Sequence, residues 1–132
     1  MKILIAEDDL TSRLLLQALI KKYGDVDVAV NGREAVEAFR IAQEAGDPYD
    51  LVCMDIMMPE LDGQQALDQI RKMEEAQDIT SFDGAKILMT TAQSDLKNVM
   101  KAFRNLCDGY LTKPVDAKTL YAELIKLGLA EA

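Results

Sequence analysis

The sequence contains no histidine, and it has only two cysteines in 132 residues. The absence of histidine excludes catalytic triads with a histidine base, histidine-ligated zinc centres and histidine general bases. The two cysteines, Cys53 and Cys107, are far apart in the chain and lie in apolar surroundings. We therefore expect reduced, buried thiols and a cytoplasmic protein.

Positive charge and long apolar runs are also scarce. The formal net charge is −8, which disfavours nucleic acids and anionic membrane surfaces as partners because both attract clustered Lys and Arg. No apolar run is long enough to cross a bilayer. The opening run Met1–Ala6 meets Glu7 too early to be a signal peptide. We expect no nucleic-acid partner and no membrane partner.

The chain has the size and composition of one globular domain. Hydrophobic residues make up 49% and charged residues 29% of the 132 positions, which are ordinary values for a protein with a hydrophobic core. The sequence shows no internal repeat, low-complexity tract or linker. We expect a single domain over residues 1–132, with no output domain after its last helix.

Five short apolar runs alternate with longer stretches of helical spacing. This pattern predicts five βα units, and therefore a parallel sheet covered by helices on both faces. The predicted strands are Lys2–Ala6, Val26–Val30, Leu51–Met54, Lys86–Thr90 and Gly109–Thr112.

Polar residues typical of helix N-termini precede the amphipathic stretches. One face of the fourth helix is marked by Leu96, Val99, Met100, Phe103 and Leu106, and one face of the fifth by Leu120, Leu124 and Leu127. The predicted caps or turns before helices are Asp9, Asn31-Gly32, Asp62-Gly63, Ser94 or Asp95, and Asp116.

The composition of the runs predicts the strand order. Runs 1, 3 and 4 are continuously apolar, as expected of strands buried on both faces, whereas runs 2 and 5 are mixed, as expected at edges. This matches a doubly wound, flavodoxin-like sheet of order 2-1-3-4-5 with five helices. Ligands bind such sheets at the carboxyl ends of the strands, where the order reverses between strands 1 and 3.

Acidic residues follow the first and third strands at this predicted edge. Considered alone, Glu7 and Asp8 fit solvated loop residues as well as they fit members of a site. Asp55 favours the site, because it interrupts an apolar run at the same edge. Three converging carboxylates are unfavourable unless a cation neutralises them or some pKa values rise. Mg²⁺ is the natural candidate, because it prefers carboxylate, water and phosphate oxygens.

A lysine and threonines end the fourth and fifth strands. Lys113 can pair with Asp55 or with a phosphoryl oxygen, and the hydroxyl of Thr90 or Thr91 can donate a hydrogen bond to the same group. A cation, an ammonium and a hydroxyl around one carboxylate suit phosphoryl transfer, with the carboxylate as nucleophile.

Four segments, taken in order, resemble response-regulator receiver domains of two-component signalling, particularly stand-alone chemotaxis-type regulators. The resemblance extends from Lys2 to about Leu127. The pattern Asp-x-x-Met-Pro-x-x-Asp-Gly is highly specific for this family, and the occurrence of all four segments in the same order is more specific still. The segments are Ile3–Asp8, Asp55–Gly63, Met89–Ala92 and Gly109–Pro114.

The resemblance implies a role for each matching position in the metal and phosphoryl site. Asp55 matches the phosphoacceptor, which is also a magnesium ligand. Asp8 matches the direct ligand, Glu7 the acid that holds the ion through water, and Met57 a ligand through its backbone carbonyl. Lys113 matches the lysine that contacts the phosphoryl group, and the resemblance implies a cis peptide after it.

The resemblance also implies a switch and partners. Thr91 matches the switch hydroxyl and Tyr110 the aromatic residue that changes rotamer with it. A histidine kinase or histidine phosphotransfer protein is expected to donate the phosphoryl group. The surface of helix 4, strand 5 and helix 5 is then expected to change its preference for a downstream protein. Such a domain assists its own phosphorylation and dephosphorylation and is not a turnover enzyme.

Two features depart from the family pattern. The first acid is Glu7 where Asp is common, a change expected to preserve metal binding. The connection Glu74–Ala85 is somewhat long, and its apolar Ile79 and Phe82 are expected to pack locally or else to contact a partner.

Three other functions fit the sequence less well. A phosphatase of the haloacid dehalogenase class needs a second Asp two positions after the nucleophile, where this chain has Met57. A flavodoxin-like cofactor binder needs a phosphate-cradling loop after strand 1, where acids would repel phosphate. A receiver used only for docking, without phosphorylation, is disfavoured because every expected site residue is present.

Overall fold

The computed structural model describes residues 1–58, 61–80, 83–103 and 106–132, with the side chains of residues 102 and 103 left aside. Pro59, Glu60, Phe82 and the side chain of Phe103, which entered the sequence predictions, lie outside the described residues.

Five parallel strands form one sheet in the order β2-β1-β3-β4-β5, which confirms the predicted order. The strands are β1 Lys2–Ala6, β2 Asp25–Ala29, β3 Leu51–Asp55, β4 Lys86–Ala92 and β5 Gly109–Lys113. The helices are α1 Leu10–Ile20, α2 Gly32–Glu44, α3 Gly63–Glu75, α4 Leu96–Phe103 and α5 Ala117–Lys126.

The central position of β1, β3 and β4 follows from their apolar sequences. Every residue of β3 is buried, whereas most of β2 is exposed or half-buried, as expected of an edge strand. Three of the predicted strands ended too early at their carboxyl ends. β3 includes Asp55, β4 continues through Ala92 and β5 includes Lys113. Asp55, Thr91 and Lys113 are therefore part of the sheet rather than of the loops that follow it.

Side chains alternate along the strands and build two cores, one on each face of the sheet. The strand residues that pack with α2, α3 and α4 are Leu4, Ala6, Val52, Met54, Ile87 and Met89. Those that pack with α1 and α5 are Ile3, Ile5, Leu51, Cys53, Leu88 and Leu111. Cys53 is buried and reduced as predicted, but Cys107 is reduced and only half-buried, because it lies just before the edge strand β5.

Side-chain caps begin four of the helices. The side-chain oxygens of Asp9, Asn31, Asp62 and Asp116 each accept a hydrogen bond from a backbone N–H in the first turn of the following helix. Gln65 returns a bond to the backbone of Asp62 and completes a capping box. The predicted cap positions Ser94 and Asp95 lie in a 3₁₀ turn, Gln93–Asp95, that runs directly into α4.

A network of buried charges lies at the amino end of the sheet, opposite the acidic edge. The guanidinium of Arg71 donates to the carboxylates of Glu74 and Asp108 at 2.7 and 3.0 Å, and to the carbonyls of Leu106 and Ala85 at 2.8 and 3.0 Å. The carboxylates also accept from backbone N–H groups of the β4 region. The network joins α3 to β4 and to the segment before β5.

The connection between α3 and β4 is packed against this network. α3 ends in a Schellman motif in which the N–H of Ile79 bonds to the carbonyl of Glu74 at 2.9 Å, and Asp78 adopts a positive φ of 59°. Ile79 is half-buried and lines a cavity with Phe39, which agrees with the expected local packing. Among the described residues, no helix is both long and apolar enough to span a membrane.

Candidate functional site

The carboxyl ends of the central strands bring acidic side chains together. Glu7 directly follows β1, and its backbone N–H bonds to the carbonyl of Ala29 in β2 at 3.0 Å. Asp55 is the last residue of β3, the strand paired with β1 on its other side. This is the point where the strand order reverses, as the sequence predicted.

Three carboxylates form a cluster at this point. One oxygen each from Glu7, Asp8 and Asp55 lies within 4.8 Å of the others. Glu7 and Asp55 are only 3% and 5% exposed, whereas Asp8 is exposed, so the cluster has a buried floor and an open side. The guanidinium of Arg13 donates to the backbone carbonyl of Glu7 at 3.0 Å and fixes the start of the loop.

Lys113 is the cationic partner of the cluster. Its ammonium lies 2.7 Å from the Glu7 carboxylate and 3.2 Å from that of Asp55. Burial raises the pKa of Glu7, the Asp55 carboxyl raises it further, and Lys113 opposes both effects. Burial lowers the pKa of Lys113, but its contacts with Glu7 and Asp55 outweigh burial and leave that pKa above its ordinary value. The peptide from Lys113 to Pro114 is cis, as the resemblance implied.

A glycine lies directly beneath the Asp55 backbone. A Cβ atom on Gly63 would approach the Asp55 carbonyl oxygen to 2.5 Å and the Ile56 Cα to 2.8 Å. The Gly63 N–H bonds to the Ile56 carbonyl at 3.0 Å and closes the loop between β3 and α3. The Asp-Gly pair predicted a turn, but the close approach that requires glycine is visible only in three dimensions.

Thr91 and Tyr110 lie on the face of the sheet covered by α2, α3 and α4. Tyr110 pairs with Met89 in the β4–β5 register and packs against the core of that face, and Thr91 follows Met89 by two residues. The Tyr110 hydroxyl donates to the Met100 carbonyl in α4 at 3.2 Å. The Thr91 side chain is buried, with its hydroxyl 3.5 Å from the Ala92 carbonyl. Both residues lie on neighbouring strands near the carboxyl edge of the sheet, and their switching roles stay predictions.

Met57 follows Asp55 by two residues and is strongly exposed. Its side chain is 78% exposed, and with Ile56, Met58 and Val99 it lines a groove of about 520 Å³ between the β3–α3 loop and α4. The assignment of its carbonyl as a metal ligand stays a prediction. Met58, in contrast, is buried in the core of this face.

The donor chemistry fits a hard divalent cation. The clustered groups are all carboxylates, and the side of Asp8 is open for water and a phosphate oxygen. The 4.8 Å spacing allows the oxygens of Glu7, Asp8 and Asp55 to converge on one ion. Arg13 was missed by sequence reasoning, because an arginine in an amphipathic helix is indistinguishable from a solvated one until its backbone acceptors are seen.

Residues 3–125 match the family model described as the response regulator receiver domain. A probable transcriptional regulator of Porphyra purpurea, ycf29, is 33% identical over 123 residues, which are 93% of this chain and 53% of the relative. The sensor protein GacS of Pseudomonas syringae is 35% identical over 131 residues, 98% of this chain but 14% of the sensor. The chain thus spans about half of the first relative and a small part of the second.

Solved structures share the fold over nearly the whole chain. The co-crystal structure of the Saccharomyces cerevisiae phosphotransfer protein Ypd1 with the receiver domain of Ssk1 matches with a TM-score of 0.77 and 29% identity, covering 97% of this chain and 88% of that chain. A response regulator receiver domain protein of Clostridium thermocellum matches with a TM-score of 0.74 and 27% identity, covering 96% and 92%.

Proposed function

This chain belongs to the response-regulator receiver family of two-component signalling, and on that premise we propose that Asp55 accepts a phosphoryl group from a phosphohistidine. The observation that supports this most directly is the placement of Asp55. It is buried at the end of β3, within 4.8 Å of two further carboxylates and 3.2 Å from the Lys113 ammonium.

The transfer requires one bond to form and one to break. A carboxylate oxygen of Asp55 attacks phosphorus while the phosphorus–nitrogen bond of the phosphohistidine breaks. The electron pair of that bond stays on the imidazole nitrogen, and the product is an aspartyl phosphate. Little other covalent chemistry is needed, so most of the catalysis comes from positioning and charge neutralisation.

We assign the metal-binding role to Glu7, Asp8, Asp55 and the backbone carbonyl of Met57. When bound, Mg²⁺ supplies positive charge that neutralises the oxygens of the transferring group. Lys113 contributes a second positive charge, since its ammonium already contacts Asp55. The Thr91 hydroxyl donates a hydrogen bond to the phosphoryl group, and Tyr110 changes rotamer with it.

The phosphodonor is a histidine kinase or a histidine phosphotransfer protein. Leu10 and Leu14 of α1 are 58% and 55% exposed, immediately after the acids of the site. An apolar helix face beside the phosphoacceptor suits docking of a helical donor, which would bring its histidine over Asp55. Likeness to a receiver solved with Ypd1, and to receiver segments of hybrid histidine kinases, supports this partner class.

The output is carried by the surface of α4, β5 and α5. Met100 and Tyr121 are 46% and 39% exposed there, and the Tyr110 hydroxyl bonds to the Met100 carbonyl. Phosphorylation replaces the single negative charge of the Asp55 carboxylate by a phosphoryl group that carries roughly two, placed beside Thr91. This shifts the population between two packings of Tyr110 and α4, and it changes which downstream protein the surface binds.

Intact mass spectrometry tests the proposal. Incubation with acetyl phosphate and Mg²⁺ is expected to add one phosphoryl group to the wild-type protein and to Asp25→Asn, a control with an exposed carboxylate at the other end of the sheet. Asp55→Asn is expected to show no adduct. An adduct that persists in Asp55→Asn refutes the assignment of Asp55 as the phosphoacceptor. The absence of an adduct on the wild type refutes the proposal as a whole and favours a docking module instead.

A further inference from the structure

Gly32, the first residue of α2, lies against the loop that follows Asp55. A Cβ atom on Gly32 would approach the backbone carbonyl oxygen of Leu61, in the β3–α3 loop, to 1.8 Å and the carbonyl carbon to 2.6 Å. We propose that Gly32 is a positioning residue that seats this loop and thereby sets the place of the metal ligand contributed by Met57. This inference rests on the proposed function, because it deepens the metal site assigned there.

Only the close approach of the two backbones calls for glycine at position 32. Gly32 does not have the positive φ found at Gly46 and Gly128, so its conformation is open to any residue. Alanine is also favoured over glycine at helical positions, so the local preference of α2 is for a side chain. The Leu61 backbone is what excludes one.

The α2 side of this contact is the firmer of the two. The Asn31 side chain caps the helix by accepting a hydrogen bond from the backbone N–H of Glu34 at 2.8 Å. Ala35 and Phe39, on the following turns, are buried in the core. Leu61, in contrast, is only half-buried. A side chain at position 32 is therefore expected to displace the loop rather than the helix.

A displacement of Leu61 reaches the candidate site through a short connection. Leu61 follows Met57 by four positions and Asp55 by six. The loop is closed at its base, where the Gly63 N–H donates to the Ile56 carbonyl at 3.0 Å. Because Asp55 belongs to β3 and Gly63 to α3, the two ends of the loop are fixed. A shift at Leu61 is therefore passed along the loop to Met57.

The size of the displacement predicts the size of the effect. A Cβ atom needs at least 3.0 Å from a backbone oxygen, and only 1.8 Å is available, so alanine requires a shift of about 1.2 Å. Misplacement of reacting groups by about 1 Å can lower a rate by about a hundredfold. Loss of the groups that orient metal ligands lowers metal affinity by about 10- to 100-fold. We therefore expect Gly32→Ala to weaken Mg²⁺ binding by at least about tenfold.

Isothermal titration calorimetry with Mg²⁺ tests this expectation, and Gly24→Ala is the matched control. A Cβ atom on Gly24 would lie 2.0 Å from the backbone carbonyl oxygen of Met1, a similarly close approach, but at the amino end of the sheet. Both variants are titrated at a temperature where circular dichroism shows them folded. Gly24→Ala is expected to keep the affinity of the wild type. A loss smaller than about tenfold in Gly32→Ala, or an equal loss in Gly24→Ala, overturns the positioning role.

Leu61→Ala tests the same contact without crowding it, and it decides the question if Gly32→Ala does not fold. The Leu61 side chain packs against the core beneath α2 and borders a groove with Val36. Its removal loosens the loop from α2 and is expected to weaken Mg²⁺ binding by about threefold or more, although Leu61 contacts no metal ligand directly. Ile79→Ala removes a half-buried apolar side chain from the α3–β4 connection and is expected to leave the affinity unchanged. A smaller loss in Leu61→Ala, or a similar loss in Ile79→Ala, overturns the proposal.

The displacement of the loop is also measurable without metal. In the metal-free protein, the backbone amide NMR signals of Met57 and Met58 are expected to move in Gly32→Ala and to stay in place in Gly24→Ala. A purely structural role of Gly32 in the packing of α2 would leave these signals unmoved. Unmoved signals in folded Gly32→Ala therefore contradict the proposal.

The failure of this inference and the failure of the proposed function differ. A wild-type protein that is phosphorylated on Asp55, together with unchanged Mg²⁺ affinity in Gly32→Ala, rejects the positioning role alone. The absence of an adduct on the wild type rejects the proposed function, while the Mg²⁺ titrations still decide the role of Gly32. A wild-type protein that binds no Mg²⁺ in the calorimeter rejects the metal assignment and the positioning role with it.

Discussion

Replacement of Arg71 by Met is expected to destabilise the fold strongly although Arg71 is far from the candidate site. The Arg71 side chain is 10% exposed and makes four polar contacts, two of them with the carboxylates of Glu74 and Asp108. Methionine fills much of the same space but offers no donor. The substitution therefore leaves Glu74, which is 4% exposed, buried without its cationic partner.

The expected loss of stability follows from the difference between a complete buried ion pair and a buried charge that has lost its partner. Removal of one partner from a buried ion pair costs about 3–5 kcal/mol, because the remaining charge stays desolvated. Residual hydrogen bonds from the backbone N–H groups of Ala85 and Ile87 to the carboxylates moderate this cost. We expect a loss of about 3 kcal/mol, a large part of the 5–15 kcal/mol typical of a domain.

Urea unfolding followed by circular dichroism measures the loss. Arg40→Met is the matched control, since Arg40 also pairs with two glutamates of its own helix, Glu37 and Glu44, but on an exposed surface. The control is expected to shift the midpoint little. Arg71→Lys, which keeps the charge but loses the planar fork, is expected to fall between the two. A shift for Arg71→Met no larger than that for Arg40→Met would refute the reasoning.

Three further outcomes are expected. In thermal unfolding experiments, Mg²⁺ at one hundred times its dissociation constant should raise the free energy of unfolding by about 2.7 kcal/mol. Asp55→Asn should reduce this gain. Gly63→Ala should cost about 1–3 kcal/mol in urea unfolding, because its Cβ would lie 2.5 Å from the Asp55 carbonyl oxygen; an unchanged midpoint contradicts that contact. Burial raises the pKa of Cys53 to about 12, so its thiol should react slowly. In a thiol-labelling time course at mildly alkaline pH, the native protein should therefore react first at the half-buried Cys107. Equal labelling rates at the two cysteines would contradict the burial of Cys53.

The hydrophobic pattern predicts the topology of this chain because a strand buried on both faces is apolar along most of its length. Leu51–Met54 has no polar residue, and β3 is central with every residue buried. Asp27 lies within the second predicted strand, and β2 is an edge. Asp55 was recognisable as a site residue for the same reason, since a charge at the end of a buried strand needs a partner.

Contacts between residues that are distant in the chain could not be predicted in this way. Arg71 and Asp108 are paired across 37 positions, and neither residue differs in the sequence from a solvated surface charge. The strand ends were placed too early for a related reason. Asp55 and Lys113 are polar, so the apolar pattern stopped before them, although the hydrogen bonds of the sheet continue.

The charged groups at the two ends of the sheet are arranged differently, and this difference predicts where the proposed switch would act. At the amino end, Arg71 binds two carboxylates and two carbonyls and fixes β4 relative to the start of β5. At the carboxyl end, Glu7 and Asp55 compete for Lys113, so a new charge there changes which pairs are made. Because one end of β4 and β5 is held, we expect any rearrangement that follows the proposed phosphorylation to involve mainly the final residues of these strands and the neighbouring α4. Thr91 lies near the end of β4, and Tyr110 joins β5 to α4 through Met100. We therefore expect the proposed switch to be local, rather than a general loosening of the fold.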